Sequence, residues 1–207
     1  PGGIELDDLL YPEWASARFM LEGMIPASLV PDPVAPVPRA SMTGPTGRAC
    51  HVRCSFARMA GIGILPLGWS RFVGESAHLY ADAVFDVETE PTFALFGAIW
   101  ADIQDLQNHR DIADVFDRHL LAALGPAEDR EAEIERVHGA LADPEITDVS
   151  QLADRVGLNS QYVERLCRRV FGFPPKRLLR RQRFLRSLAP RIFDPALKWV
   201  KVLDASY

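Results

Sequence analysis

The side chains with the most chemistry to offer cluster late in the chain. Ser160, Gln161, Glu164, Arg165 and Arg168 recur at helical spacing, opposite Val163, Leu166, Cys167 and Val170. If the apolar set packs inward, the polar set projects from one helix near its amino end. There Arg165 can pair bidentately with guanine O6 and N7, Gln161 with adenine, and Glu164 can accept from a cytosine amine, each pairing discriminating by about 1–3 kcal/mol. Ser160, Arg168, Arg169, Lys176 and Arg177 suit phosphate oxygens, which set register but carry no sequence information. The competing reading of the same residues is a solvated charged face on a helical hairpin.

Other groups offer less. Cys50 and Cys54 fall on one face of a strand and His51 on the other, and two thiols do not make a four-ligand metal site. They read as small buried hydrophobes. With Cys167 they make three cysteines, an odd number too small for a disulfide framework. Gly61-Ile62-Gly63 lacks the third glycine of a dinucleotide fingerprint and has Pro66 in its place. His78, His109, His119 and His138 are scattered, and the chain has neither a Gly-x-Ser-x-Gly elbow nor a His-Glu-x-x-His pair. The expectation is a protein that is not an enzyme and holds no metal or cofactor. Arg53, Arg58 and Arg71, rare cations in an acidic region, join Trp69 as candidates for a pocket taking an anionic effector. The alternative is that Trp14, Trp69, Phe72, Tyr80, Phe85, Phe93 and Trp100 simply fill a core.

Charge shows which part of the chain would carry these groups. The 207 residues have a formal net charge of −5, which taken alone argues against nucleic acid. Residues 1–129 carry 8 arginines, no lysine and 18 acids, whereas 130–207 carry 15 basic and 10 acidic residues. Between Ser160 and Lys201 the balance is +10. One end of the chain therefore suits a polyanion and the other repels it. The polar stretch Pro126–Arg130 coincides with the switch and sets a domain boundary, giving units 1–129 and 130–207.

The first unit reads as β-rich. Pro26, Pro31, Pro33, Pro36, Pro38 and Pro45 predict loop with short edge strands over the first fifty residues. The alternation from Thr46 to Met59 predicts a half-buried strand, Gly61–Leu67 a short apolar one, and Trp69, Phe72 and Val73 the start of a helical stretch. Two amphipathic helices follow between Pro91 and Leu124. The second unit reads as all-helical, with Ala132–Leu141 ending at Asp143-Pro144 and a next helix capped by Asp148. Gly157 suits a left-handed turn, and Asn159 can cap a helix over Ser160–Phe171 that Gly172 closes. Two short helices across such a turn form a helix-turn-helix, whose second helix enters a major groove.

Val149–Leu188 resembles the first helix-turn-helix and connecting helix of the AraC/XylS family of bacterial transcription regulators. The shared features are Leu152-Ala153, the Gly157-Leu158-Asn159 turn, Arg165-Leu166, Phe171-Gly172, Pro175-Lys176 and the arginine-rich helix with its Arg183. Cys167 departs from the aromatic residue common in the family. The resemblance implies two helix-turn-helix units joined by a long helix, here Arg177–Leu188, reading successive major grooves roughly 34 Å apart. Pro195–Tyr207 looks like the first helix of a second unit running into its turn, so as written the chain holds one complete reading head and is expected to bind DNA weakly. Gly44–Gly74 looks like the small β-rich sensor of one branch of the family.

The expectation is an α+β chain: a small β-rich sensor-like or dimerisation domain with helices at its carboxyl end, then an all-α AraC-type DNA-binding domain. The expected partner is double-stranded DNA, with a small-molecule effector, a homodimer partner and, for an activator, RNA polymerase as candidates. A non-enzymatic regulatory module whose helical half binds a protein partner is the alternative. No apolar run approaches about 20 residues and no basic-then-apolar leader opens the chain, so no membrane partner is expected and a cytoplasmic location is the default.

Overall fold

The computed structural model describes residues 6–54, 56–127, 129–194 and 196–198. The fold is mixed α+β, with the strands toward the amino end and helices dominating after residue 93. Two antiparallel sheets organise the first part. In one, β1 (Leu6–Leu10) and β3 (Ala27–Leu29) flank β5 (Cys50–Cys54). The other runs β6 (Ala57–Ile64), β2 (Ala15–Gly23), β4 (Ala40–Thr43), β7 (Val84–Asp86).

Two local expectations need correction. The proline-rich first fifty residues contain β2, nine residues long and central in its sheet rather than an edge strand. All six of the prolines named above lie outside it, so every amide from Ala15 to Gly23 can join a ladder. The alternating stretch Thr46–Met59 is also not one strand. Cys50–Cys54 pairs with β1 and β3, whereas Ala57 begins β6, which pairs with β2 in the other sheet. Alternation alone does not reveal a crossing between sheets, because both strands keep period two.

After β6 the chain turns at once into α1 (Pro66–Phe72), where proline's missing amide costs nothing in the first turn. The expected pair of amphipathic helices is α2 (Ala94–Ile103) and α3 (His109–Ala123), the latter capped by Asn108 Oδ1 accepting from the Arg110 amide. Phe19 from β2, Met42 from β4, Trp69 from α1 and Phe96, Ile99 and Ile103 from α2 close one core. Trp69, Phe93 and Trp100 are buried in it, with Phe72, Tyr80 and Phe85 packed against it, so these aromatics are core.

A second core belongs to α4 (Glu131–Ala142), α5 (Val149–Val156), α6 (Ser160–Leu166) and α7 (Pro175–Phe193). It gathers Ile134, Val137, Leu141, Leu152, Val163, Leu166, Phe171 and Leu178. Trp14, Leu67 and Ala81 from the first part pack against it, so Trp14, expected among the sensor's own aromatics, serves the joint between the two cores. Its ring meets His138 and Phe171 edge-on, at centroid distances of 5.3 and 5.8 Å. Among the described residues no helix is long and apolar enough to cross a membrane.

Candidate nucleic-acid interface

The elements that hold Gln161 and Arg165 follow from local chemistry. Asp148 Oδ1 accepts from the Gln151 amide and starts α5. Gly157 ends it in the left-handed region at φ 70°, where a Cβ would be strained. Asn159 Oδ1 then accepts from the Tyr162 amide at 2.8 Å and starts α6. The helix expected over Ser160–Phe171 changes character part way: after Leu166 it widens into a π-helical turn, Cys167–Phe171, closed by Gly172 at φ 82°. A Cβ on Gly172 would also lie 3.0 Å from Pro45, so this turn is pressed against the first half of the chain. Cys167 is fully enclosed, and burial pushes its thiol up to about 12.

The outward face of α6 carries what its phase predicts. Ser160, Gln161, Arg165, Arg168 and Arg169 are exposed, whereas Val163, Leu166, Cys167 and Val170 are buried. Arg165 lies 5.2 Å from the Tyr162 ring centroid, and with Arg169 and Arg130 it lines a shallow hollow beside that ring. The Tyr162 hydroxyl donates to Glu133 on α4, and this bond together with partial burial raises its pKa. Tyr162 and Arg130 thus extend the surface beyond the residues picked out by spacing. Glu164 and Arg168, assigned separate roles on a base and a phosphate, are joined in an ion pair at 2.8 Å. Such an exposed i,i+4 pair is worth only about 0.3–0.5 kcal/mol, so it holds the two side chains weakly.

The phosphate-contact set divides. Lys176 is exposed at the start of α7. Arg177 is instead held toward the first half of the chain: its guanidinium stacks 4.0 Å from the Phe173 ring centroid and pairs with Asp82 at 2.8 Å. The expected connecting helix Arg177–Leu188 extends at both ends, to Pro175 and Phe193, and carries Pro190 in its last turn. Most of the segment proposed as the beginning of a second helix-turn-helix, 195 and 199–207, lies outside the described residues.

The four candidates for an effector pocket do not converge. Arg53 is exposed and paired with Asp7 on the three-stranded sheet. Arg58 donates to the Leu106 carbonyl and lies near Glu22. Arg71 pairs with Glu131 at 2.6 Å and donates to Gly125 O, tying α1 to the start of α4. Trp69 is a core residue whose indole N–H donates to Glu75 O. Scarcity of basic residues picked out Arg53, Arg58 and Arg71, but each pairs with an acid brought from elsewhere in the chain or donates to a carbonyl. Among the described residues no group of three or more His, Cys, Asp or Glu is placed to hold a metal, and Cys50, Cys54 and Cys167 are free thiols.

Spacing also missed the cation that fastens the halves together. Arg181 is 8% exposed, stacks 3.7 Å from the Trp14 ring centroid, and donates from Nη1 to the carbonyls of Glu13 and Thr46. Burial lowers its pKa to about 10. It contributes to the +10 balance of Ser160–Lys201, yet its charge is withheld from solvent. Helical phase was the available signal, since Leu178, Arg181, Leu185 and Leu188 share one face of α7. A comparison with protein-family models and a search of curated proteins find no match to this chain.

Proposed function

We propose that this chain is a non-enzymatic, DNA-binding transcription regulator of AraC/XylS type, with α6 as the helix entering the major groove. The observation that carries the reading is the α5–α6 unit itself. Its left-handed glycine turn and its Asn159 cap leave the amino end of α6 facing solvent with Gln161, Arg165 and Arg169 exposed on one surface. Arg165 and Gln161 read base edges, while Ser160, Arg168, Arg169 and Lys176 hold phosphates. Arg130 adds to the positive surface beside Tyr162. Arg177 acts structurally through Asp82. The acidic first unit keeps away from the polyanion and serves sensing or assembly.

The test is selection from a random duplex library at low salt, followed by anisotropy titrations of the selected sequence. Arg165→Ala is expected to relax one base position at a cost of about 1–3 kcal/mol. Arg169→Ala is expected to weaken all sequences alike and to reduce the salt slope by about 0.9. Binding that ignores both salt and sequence would instead favour a protein partner for the helical half.

A further inference from the structure

A cavity of about 400 Å³ opens between the three-stranded sheet and α7, within the size range of small-molecule sites. Its walls combine two chemistries. Leu9, Tyr11 and Phe184 supply apolar surface that is 50%, 45% and 38% exposed, so it is wetted rather than packed. Arg177, Arg180 and Arg181 supply three cations, and no lining residue is acidic.

The three cations are not equally satisfied. Arg177 has Asp82. Arg180 is exposed and makes no ion pair or hydrogen bond among the described residues. Arg181 is more than nine-tenths buried and makes no ion pair: Nη1 donates to two carbonyls, the Trp14 ring covers the guanidinium, buried Nε has no acceptor, and the acid whose charge reaches it, Asp82, is already paired with Arg177. Burying a cation costs several kcal/mol in effective terms, and an acid shared with a second arginine offsets only part of that. A ligand anion at the cavity wall would offset that cost, and the apolar walls would take the rest of the ligand out of water.

We infer that this cleft binds a small amphiphilic anion, a carboxylate carrying an apolar body, with the head group on Arg180 and Arg181 and the body against Leu9, Tyr11 and Phe184. Arg180 supplies the accessible charge and a forked donor geometry suited to a carboxylate. Arg181 is held in place by Trp14, Glu13 and Thr46, so its position is set before a ligand arrives. The site differs from the Arg53, Arg58, Arg71 and Trp69 set, and it is independent of the DNA-binding reading.

Calorimetric titration of the full chain tests it, with octanoate and 3-phenylpropanoate as probes, their primary amides as neutral counterparts and acetate as the head group alone. At least one acid is expected to bind about tenfold more tightly than its amide and than acetate, because charge and apolar body both contribute. Arg180→Ala, a surface change that spares the fold, is expected to abolish most of the preference for the acid over the amide. Three results overturn the inference: neither acid binds, an acid binds no better than its amide or than acetate, or Arg180→Ala leaves acid binding unchanged. DNA is not part of the measurement, so its outcome and that of the DNA titrations are separable.

Discussion

Replacing Trp14 by alanine tests how the two cores are joined. Trp14 precedes β2 in the chain yet packs on the helical core, with Arg181 above its ring and His138 and Phe171 at its edges. A desolvated cation–π contact contributes about 2 kcal/mol, and each edge-on aromatic pair about 0.5–1.5 kcal/mol. Removal of a large buried aromatic typically costs about 3–5 kcal/mol, and Trp14, partly buried, is expected to lose about 2–4 kcal/mol as Trp14→Ala. Trp14→Phe keeps a ring face for Arg181 and is expected to lose roughly 1–2 kcal/mol. The assay is urea unfolding followed by far-ultraviolet circular dichroism, with hydrogen exchange on α7 to show where protection is lost. A double-mutant cycle with Arg181→Met isolates the cation–π contact, for which a coupling of about 2 kcal/mol is expected. A loss below about 1 kcal/mol for Trp14→Ala, or a coupling near zero, would refute this account of the joint.

Other outcomes follow from single groups. Gly157→Ala forces a Cβ into the left-handed region and is expected to cost about 1–2 kcal/mol in chemical denaturation, whereas a neutral result would mean the α5–α6 turn rearranges freely. Burial first, and the nearby Arg181 charge second, hold His138 below its ordinary value of 6.5, so the unfolded chain takes up the proton first. Stability from this group is full above pH 6.5 and falls as pH drops toward the folded value, and His138→Phe should flatten that part of a melting-temperature profile. Cys167, buried with its thiol raised to about 12, should resist a thiol reagent at pH 8 until the chain unfolds, while the half-buried Cys50 and Cys54 react earlier. Simultaneous labelling of all three would contradict the packing of the π-helical turn.

The helical half was readable because its signals are short-range. Asp148, Gly157, Asn159 and Gly172 each act on amides or dihedrals within a few residues of themselves, and the structure uses all four as caps or left-handed ends. The outward face of α6 follows from the same periodicity, as do α2 and α3. The strands were harder to read. Thr46–Met59 kept its alternation across a change of sheet, and the central place of β2 depends on partners at residues 40–43 and 57–64.

By itself the amino-acid order determined where charge resides, where helices begin and end, and which side of α6 meets water, since these depend on neighbours along the chain. Only the tertiary structure decided which arginines keep their charge available. Arg165 and Arg169 do, whereas Arg71 and Arg177 meet acids from distant segments and Arg181 enters the joint over Trp14. Composition counts a guanidinium the same wherever it lies. Its effective charge depends on solvent and on partners that the chain brings together from as far as 168 positions away.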